Sequence, residues 1–371
     1  MRGRNFFRRF LGVRKKRLKG IPSPEEFWNI LEEERARADR IGYELSLLVF
    51  QLGIGGDPCA ITEPLLQVLE GRVRSFDQVG WWNKQEMGVL LAGASAEGAW
   101  KFADDVRQKV AVAASELPFR LYTYPTPLFP KGEEDGFSFR PGEGRVQKEV
   151  QRLESLFVYQ LPAWKRAVDI LGSSLLIVIL LPVFAIVALW IAIVSPGPAL
   201  YKQRRIGNSG RPFTIWKFRT MKASADESVH RQHVEHLIKS GEPMTKLDSL
   251  KDPRIIPLGN LFRRLGIDEF PQLINVLRGE MSLVGPRPDV PYSVRYYLPW
   301  QTRRLETNPG LTGLWQVSGK NKTTFKDMVR LDIRYTMKRS FLSDLRILVL
   351  TIPSILDQIV WKALKEKQQV Q

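Results

Sequence analysis

Apolar and polar positions change period several times along the chain. Residues 25–125 read as alternating helices and strands. A charged helix is expected around Glu25 to Ile41, followed by a strand from Leu45 to Leu52. A helix from Pro64 to Phe76 then leads to a hairpin-like strand pair around Trp81 to Leu91. A third helix covers Ala96 to Ala114, and a short strand, Phe119 to Tyr124, ends at a Pro-rich turn. The pattern changes completely at Ile170. From there to Val194 run 25 residues without a charge, and about 20 apolar residues suffice to cross a bilayer. Pro182 sits in the middle, and an interior proline removes a hydrogen bond and bends a helix.

Beyond the apolar run, Asn208-Ser-Gly210 separates two strand-like stretches and predicts a β-hairpin. Phe213, Ile215, Lys217 and Arg219 alternate onto one face of its second strand. Residues 222–251 are polar and helical in pattern, and they hold all three histidines, His230, His233 and His236. Leu258, Leu261, Phe262 and Leu265 mark an amphipathic helix over 254–267. The segment from Phe341 to Leu364 is apolar but broken by Asp344, Arg346 and Asp357, which suits an interfacial or core helix.

Two topologies fit the uncharged run: a kinked span, or a hairpin that enters and leaves on one side. Lys165 and Arg166 precede it, and Lys202, Arg204 and Arg205 follow. Cationic flanks prefer the cytoplasmic face, so two cationic ends favour a re-entrant helix broken at Pro182. Each half would then be about 18 Å long at a rise of 1.5 Å per residue.

Charge sharpens this picture. The formal net charge is +17, which implies a polyanionic partner: nucleic acid, phosphorylated substrate or anionic membrane. Nine of the first 20 residues are Lys or Arg, interleaved with Phe6, Phe7 and Phe10. Such a tail suits an anionic membrane surface, with nucleic acid and simple disorder as its other readings. The single cysteine, Cys59, precludes an internal disulfide.

Candidate chemistry concentrates in RRLGIDEFPQLINVLRGEMSLVGPRP, residues 263–288. Asp268 and Glu269 are adjacent and stand just before a helical apolar pattern, with Pro271 in its first turn. The expectation is two acids at a helix N-terminus, flanked by Arg263 and Arg264 and followed by Arg287 in a stiff Gly-Pro-Arg-Pro turn. Carboxylates among arginines suit phosphoryl chemistry. An aspartate can attack phosphorus while cations neutralise its oxygens. Solvated surface ion pairs are the plainer reading of the same spacing.

Two resemblances follow from the residues themselves. RARADRIGYELSLLVF and VRSFDQVGWWNKQEMGVLL, in their order, resemble the diguanylate cyclase (GGDEF-type) domain. The family's signature positions fall on Asn83 to Met87, where only Glu86 survives, and its metal-binding Asp falls near Gln51. The resemblance therefore implies a degenerate, non-catalytic module. Sensing, docking, homodimer formation or no ligand at all are its open roles.

The second resemblance covers residues 164–355. KRAVDILGSS, QRRIGNSGRPFTIWKFRTM, the DEFPQLINVL and GPRP combination, PGLTGLWQVSGK and SFLSDLRIL are similar, in order, to the bacterial sugar transferase family. These are monotopic polyprenyl-phosphate phosphoglycosyl transferases. The chain as a whole reads as α/β (α+β), with a basic tail at 1–20 from composition and a GGDEF-like domain at 21–130 from the first resemblance. A linker at 131–150 and a transferase domain at 151–371 would follow. That domain would hold a re-entrant membrane helix at 167–195 and a small mixed catalytic region. Asp268 would be the nucleophile beside Glu269, with Mg²⁺ bridging the pair and the phosphates. Lys217, Arg219, Arg263, Arg264, Gln272, Arg287 and Lys320 would bind phosphate or the acids. Lys320 stands where the family usually has Arg. The implied partners are a UDP-sugar, polyprenyl (undecaprenyl) phosphate and membrane lipids, with no nucleic acid. The implied place is the cytoplasmic face of a bacterial inner membrane. The implied role is the first step of exopolysaccharide, O-antigen or other glycoconjugate synthesis. A membrane-tethered nucleotide-sensing scaffold is the alternative.

Overall fold

The computed structural model describes residues 20–52, 58–110, 117–126, 150–158, 160–222, 228–244, 254–319 and 323–370. The basic tail, nearly all of the expected linker and Lys320 lie outside these. The chain divides after Phe157 into two units.

The first unit is built on a helix α1 (Pro24–Ile41) and a strand β1 (Leu45–Gln51). It continues with α2 (Pro58–Glu70), β2 (Gln78–Asn83), β3 (Glu86–Ala92), α3 (Ala96–Val110), β4 (Phe119–Tyr124) and β5 (Val150–Arg152). The sheet order is β2-β3-β1-β4-β5. β1 pairs antiparallel with β3 and β4, and β4 pairs parallel with β5. Alternate residues of β1 point to opposite faces. Leu48 and Phe50 meet Leu65 and Leu69 of α2 and Ala103 and Val106 of α3. Leu47 and Val49 meet Phe27 and Leu31 of α1. A strand covered on both faces reads as a continuous apolar run, as LSLLVF does.

Ser23 caps α1 in a reciprocal box with Glu26, and Gly42 ends it in the left-handed region. Phe27 drops into the sheet because Gly80 and Gly88, paired across β2 and β3, leave its ring room. A Cβ on either would come within 2.3 Å of the ring.

Two boundaries differ from the sequence pattern. α2 starts at Pro58, with Pro64 inside it rather than at its head. The unit also ends at Phe157 rather than near 130. β5 extends the sheet, and Leu153 and Phe157 enter the α1 core. Phe157 packs 5.1 Å from Trp28 and 4.2 Å below the Arg35 guanidinium.

The second unit is organised by α4, Ala163–Val194, one helix of 32 residues. At 1.5 Å per residue it is about 48 Å long. The break expected at Pro182 is absent: the helix runs through that residue, whose missing N–H removes only one backbone bond. After it come β6 (Leu200–Ile206) and β7 (Pro212–Phe218), an antiparallel hairpin turning at Asn208–Gly210. Then follow α5 (Ser228–Ser240), α6 (Gly259–Leu265), a 3₁₀ turn (Ile267–Gln272) and α7 (Leu273–Arg278). The strands β8 (Ser282–Val284) and β9 (Gly310–Thr312) pair in parallel. α8 (Pro291–Val294), a 3₁₀ turn (Pro299–Leu305) and α9 (Leu314–Val317) lead to α10 (Phe325–Lys338) and α11 (Phe341–Val370).

Both ends of α4 are tied to this one unit. Near its start, Lys165 is buried and donates to Val284 O at 2.9 Å, Tyr335 Oη at 3.0 Å and Asp344 Oδ2 at 2.6 Å. Arg166 caps α7, donating to Val276 O and Leu277 O at 2.7 and 2.6 Å. Asp169 turns to β8, where Ser282 Oγ and the Leu283 N–H donate to it. Toward the other end, Val187 and Ile191 pack with Phe218, Ile256 and Phe262. Trp190 Nε1 donates to Pro257 O at 3.1 Å. Between these ties the helix exposes Leu171, Leu175, Val178, Ile179, Leu181, Ile186, Leu189 and Ile193.

The apolar stripe expected over 254–267 is only half a core face. Phe262 is buried against α4, whereas Leu258 and Leu261 are 49% and 46% exposed. α11 divides in the same way: Ile347 enters the core, and Leu342, Leu345, Val349, Ile352 and Leu356 are exposed.

Candidate active site

Gly266 ends α6 with a φ of 70° and hands the chain to the 3₁₀ turn. Asp268 and Glu269 lie in this turn, so the acids precede α7 by one turn instead of standing at its first residues. Pro271 inside the turn has no N–H to give, and the Glu269 N–H bonds Gly266 O at 3.1 Å. Phe270, next to the acids, packs 6.4 Å from Phe184 of α4. Their neighbour Phe270 thus meets the middle of the apolar helix at Phe184, two residues past Pro182.

Glu269 is clamped by two cations. Arg287 donates from Nη2 to Oε1 at 2.6 Å and from Nη1 to Oε2 at 3.2 Å, a bidentate fork. Lys217 Nζ reaches Oε1 at 3.3 Å. The three side chains keep between 15% and 25% of their surface accessible, so a ligand can reach them.

Electrostatics mark the same spot. Burial pushes the Lys217 ammonium down to about 8; Glu269 opposes this, and Arg205 and Arg287 add to it. Burial, then repulsion from Arg287, brings Arg205 down to about 10. Arg287 is raised, chiefly by Glu269. Three cations converge on one acid pair. Asp289 adds its charge to Arg205 and Arg287, and a group of cations this close together suits the oxygens of a diphosphate.

Of the residues expected from the sequence, the structure brings together Asp268, Glu269, Lys217 and Arg287. Arg263 and Arg264 occupy the last turn of α6, just before Gly266. Gln272 is buried at the end of the 3₁₀ turn. Arg219 is not gathered with Lys217. It lies one residue past β7, is 6% exposed, and donates to the carbonyls of Ser195, Pro196 and Gly197. Its guanidinium gathers the three carbonyls that follow α4 and so fixes the turn by which the chain leaves the helix. His230 contacts Tyr292, and His236 lies 3.5 Å from Glu242.

Arg205 is a site residue that the sequence reading passed over. Its strand pairing places Tyr201 opposite Lys217 and Arg205 opposite Phe213, all on the face that carries Lys217. The period of two, counted back from the turn at Asn208, was the available signal.

Among the described residues no group of three or more His, Cys, Asp or Glu could hold a metal. Asp268 and Glu269 are the carboxylates that could hold Mg²⁺, but both Glu269 oxygens already accept from Lys217 or Arg287, so most of the ion's oxygens would have to come from water and substrate phosphates.

The bacterial sugar transferase family matches residues 160–358, more than half of the chain, and the protein belongs to that family; it is a transferase. The chain is 38% identical over 223 residues to the galactosyl transferase CpsE of Streptococcus agalactiae, covering 57% of this chain and 48% of that protein. It is 38% identical over 191 residues to the exopolysaccharide production protein ExoY of Sinorhizobium fredii, covering 52% and 84%. A UDP-glucose:undecaprenyl-phosphate glucose-1-phosphate transferase of Caulobacter vibrioides is 38% identical over 200 residues, covering 52% and 69%. Among solved structures, a DGC protein from Thermotoga maritima aligns over 28% of this chain and 82% of its own, at 14% identity and a TM-score of 0.26. A score that low says nothing of the first unit's role.

Proposed function

We propose that the protein transfers a sugar-1-phosphate from a UDP-sugar to undecaprenyl phosphate, with Asp268 as a covalent carrier. The carrying observation is the Asp268–Glu269 turn, set among Lys217, Arg205 and Arg287 and packed against the middle of α4. A carboxylate oxygen of Asp268 attacks the phosphorus that bears the sugar. The bond from that phosphorus to the bridging oxygen breaks, and UMP leaves with the electron pair. A phosphate oxygen of the lipid then attacks the same phosphorus and returns Asp268 to its carboxylate form. The cations balance the phosphate charge throughout. Glu269 holds Lys217 and Arg287 in place before the donor arrives. Asp268 and Glu269 would hold Mg²⁺, which would supply further charge neutralisation at the phosphates. The relatives' names support both substrates and a role in surface polysaccharide synthesis. The direct test is UMP release from UDP-sugars by detergent-solubilised protein given undecaprenyl phosphate. No release with any common UDP-sugar would sink the reading.

The membrane placement belongs to the same proposal. α4 lies along the cytoplasmic leaflet of a bacterial inner membrane, an unbroken helix with both ends on the cytoplasmic face. A rod of about 48 Å that crossed the membrane would put its ends on opposite sides. Here the same unit grips Lys165 at one end and the Ser195 to Gly197 carbonyls at the other. Leu258, Leu261 and the exposed apolar side chains of α11 are further apolar surface in the same unit. Cysteines placed at the exposed positions Ala163 and Lys202, in a Cys59→Ser background, are expected to react with a membrane-impermeant thiol reagent from the cytoplasmic side only. Labelling of the two from opposite sides would overturn this placement.

Lys217 gives this site a pH dependence. It is a cation below about 8 and neutral above, so donor capture is strongest below that pH and weakens as pH rises through it. Loss of one proton predicts a fall in kcat/KM for the donor of about tenfold per pH unit on the alkaline limb. Lys217→Arg should move that limb beyond pH ~10, because guanidinium stays charged. A limb unchanged by the substitution would assign it to another group.

A further inference from the structure

The loop that carries Arg287 cannot hold itself. Pro286 and Pro288 lack N–H groups, so its carbonyls must take donors from elsewhere. Each does. Pro286 O accepts from the Gly310 N–H at 2.7 Å, and Asp289 O from the Ile206 N–H at 2.8 Å. Arg287 O accepts from Arg304 Nη2 at 3.0 Å, and Pro288 O from Arg205 Nη1 at 3.1 Å. Gly285 and Gly310 let the two backbones close to this distance; a Cβ on Gly310 would meet Gly285 N at 2.0 Å.

Arg304 is the hub. It is 1% exposed. Its Nη1 donates to Asp289 and to Tyr297 Oη, and its Nη2 reaches Asp332 Oδ2 at 2.5 Å. Asp332 is equally buried, and burial pushes its carboxyl up to about 6 although Arg304 pulls the other way. A buried cluster of this kind stabilises no more than well-packed apolar side chains of the same volume would. What apolar side chains could not do is hold the Arg287 carbonyl and the Asp289 carboxylate, which flank Pro288, in fixed positions.

We infer that Arg304 is a positioning residue, which locks the Gly285–Asp289 loop so that the Arg287 fork meets Glu269. The inference rests on the transferase reading. A side chain preset in this way meets the donor's phosphates without first paying to be ordered. Lysine at 304 keeps the charge but cannot reach Asp289, Asp332 and Arg287 O together.

The test is a double-mutant cycle between Arg304→Lys and Arg287→Ala. Two readouts are used: kcat/KM for the UDP-sugar, and UDP affinity by calorimetry, which needs no turnover. Alone, Arg304→Lys should lower kcat/KM about 10- to 100-fold, the range expected for misplacement of a binding group. In the Arg287→Ala background it should cost less than about twofold, because nothing is left to aim. The UDP affinities should show the same coupling. Equal losses in both backgrounds would make Arg304 merely structural and overturn the inference. Should Arg304→Lys fail to fold, the near-isosteric Asp332→Asn takes its place in the cycle. If that variant also fails to fold, the cluster is a stability element and the inference falls. Wild-type protein that binds UDP with this coupling but releases no UMP would sink the transferase reading and leave the positioning role standing.

Discussion

Asp268→Asn is expected to abolish sugar-phosphate transfer, lowering kcat by at least about 10³-fold. The carboxamide keeps the size and hydrogen-bonding reach of the side chain but lacks the anionic oxygen that attacks phosphorus. Folding should be untouched, since Asp268 lies in a partly accessible 3₁₀ turn. The measurement has two parts. UMP release is followed with both substrates present, and intact mass is followed after mixing enzyme with donor alone. Wild-type protein should gain the mass of one sugar phosphate, on a peptide containing Asp268. Asp268→Asn should gain nothing. Glu269→Gln separates the two acids. It leaves the attacking oxygen in place but removes the charge that Lys217 and Arg287 share, so the adduct should still form, more slowly. An adduct on Glu269, or full turnover in Asp268→Asn, would assign the nucleophile wrongly.

The parts legible in the sequence are those set by local spacing. The uncharged run, the hairpin at Asn208–Gly210 and the Asp-Glu pair before an apolar helix are all readable from neighbours a few residues apart. What the sequence hid depends on partners far along the chain. Lys165 and Arg166 read as cations flanking a membrane segment. In the fold both are consumed, Lys165 by Asp344 and Arg166 by the carbonyls of α7. Two of the five flanking cations are thus spent inside the fold, and the proposed placement of α4 rests instead on the grip at both its ends. Arg219 fails in the same way: strand alternation puts it beside Lys217, but the strand ends at Phe218 and the guanidinium turns to Ser195. Arg304 and Asp332, 28 residues apart, had no local signature at all. The displaced start of α2 has another origin. Pro64 looks like a first-turn proline, but Thr62, Leu65, Leu66 and Leu69 are all buried, so the helix that buries them includes Pro64.

The second large effect falls on stability. Lys165→Met should destabilise the second unit by roughly 3–5 kcal/mol, the usual cost of removing one partner from a buried ion pair. The Lys165 and Asp344 side chains are 2% and 5% exposed, with their charged atoms 2.6 Å apart. Without the ammonium, the one Tyr335 hydroxyl hydrogen must serve either Asp344 at 2.8 Å or Val284 O at 3.0 Å, and the other acceptor loses the donor that Lys165 supplied. For a unit of this size the thermal midpoint in detergent should fall by about 10 °C. Asp344→Leu alone should do similar damage by stranding the ammonium. The double variant Lys165→Met with Asp344→Leu should recover most of the loss, because an apolar pair of matching volume avoids the desolvation cost. This pattern separates a clamp from a mere contact. The pair fastens the start of α4 to α11, and the apolar stripe of α11 lies beside it. Loss of the pair should therefore loosen both helices, seen as faster amide exchange in each at unchanged exchange in the first unit. Single variants with midpoints within about 2 °C of the wild type would show that the pair does not fasten them.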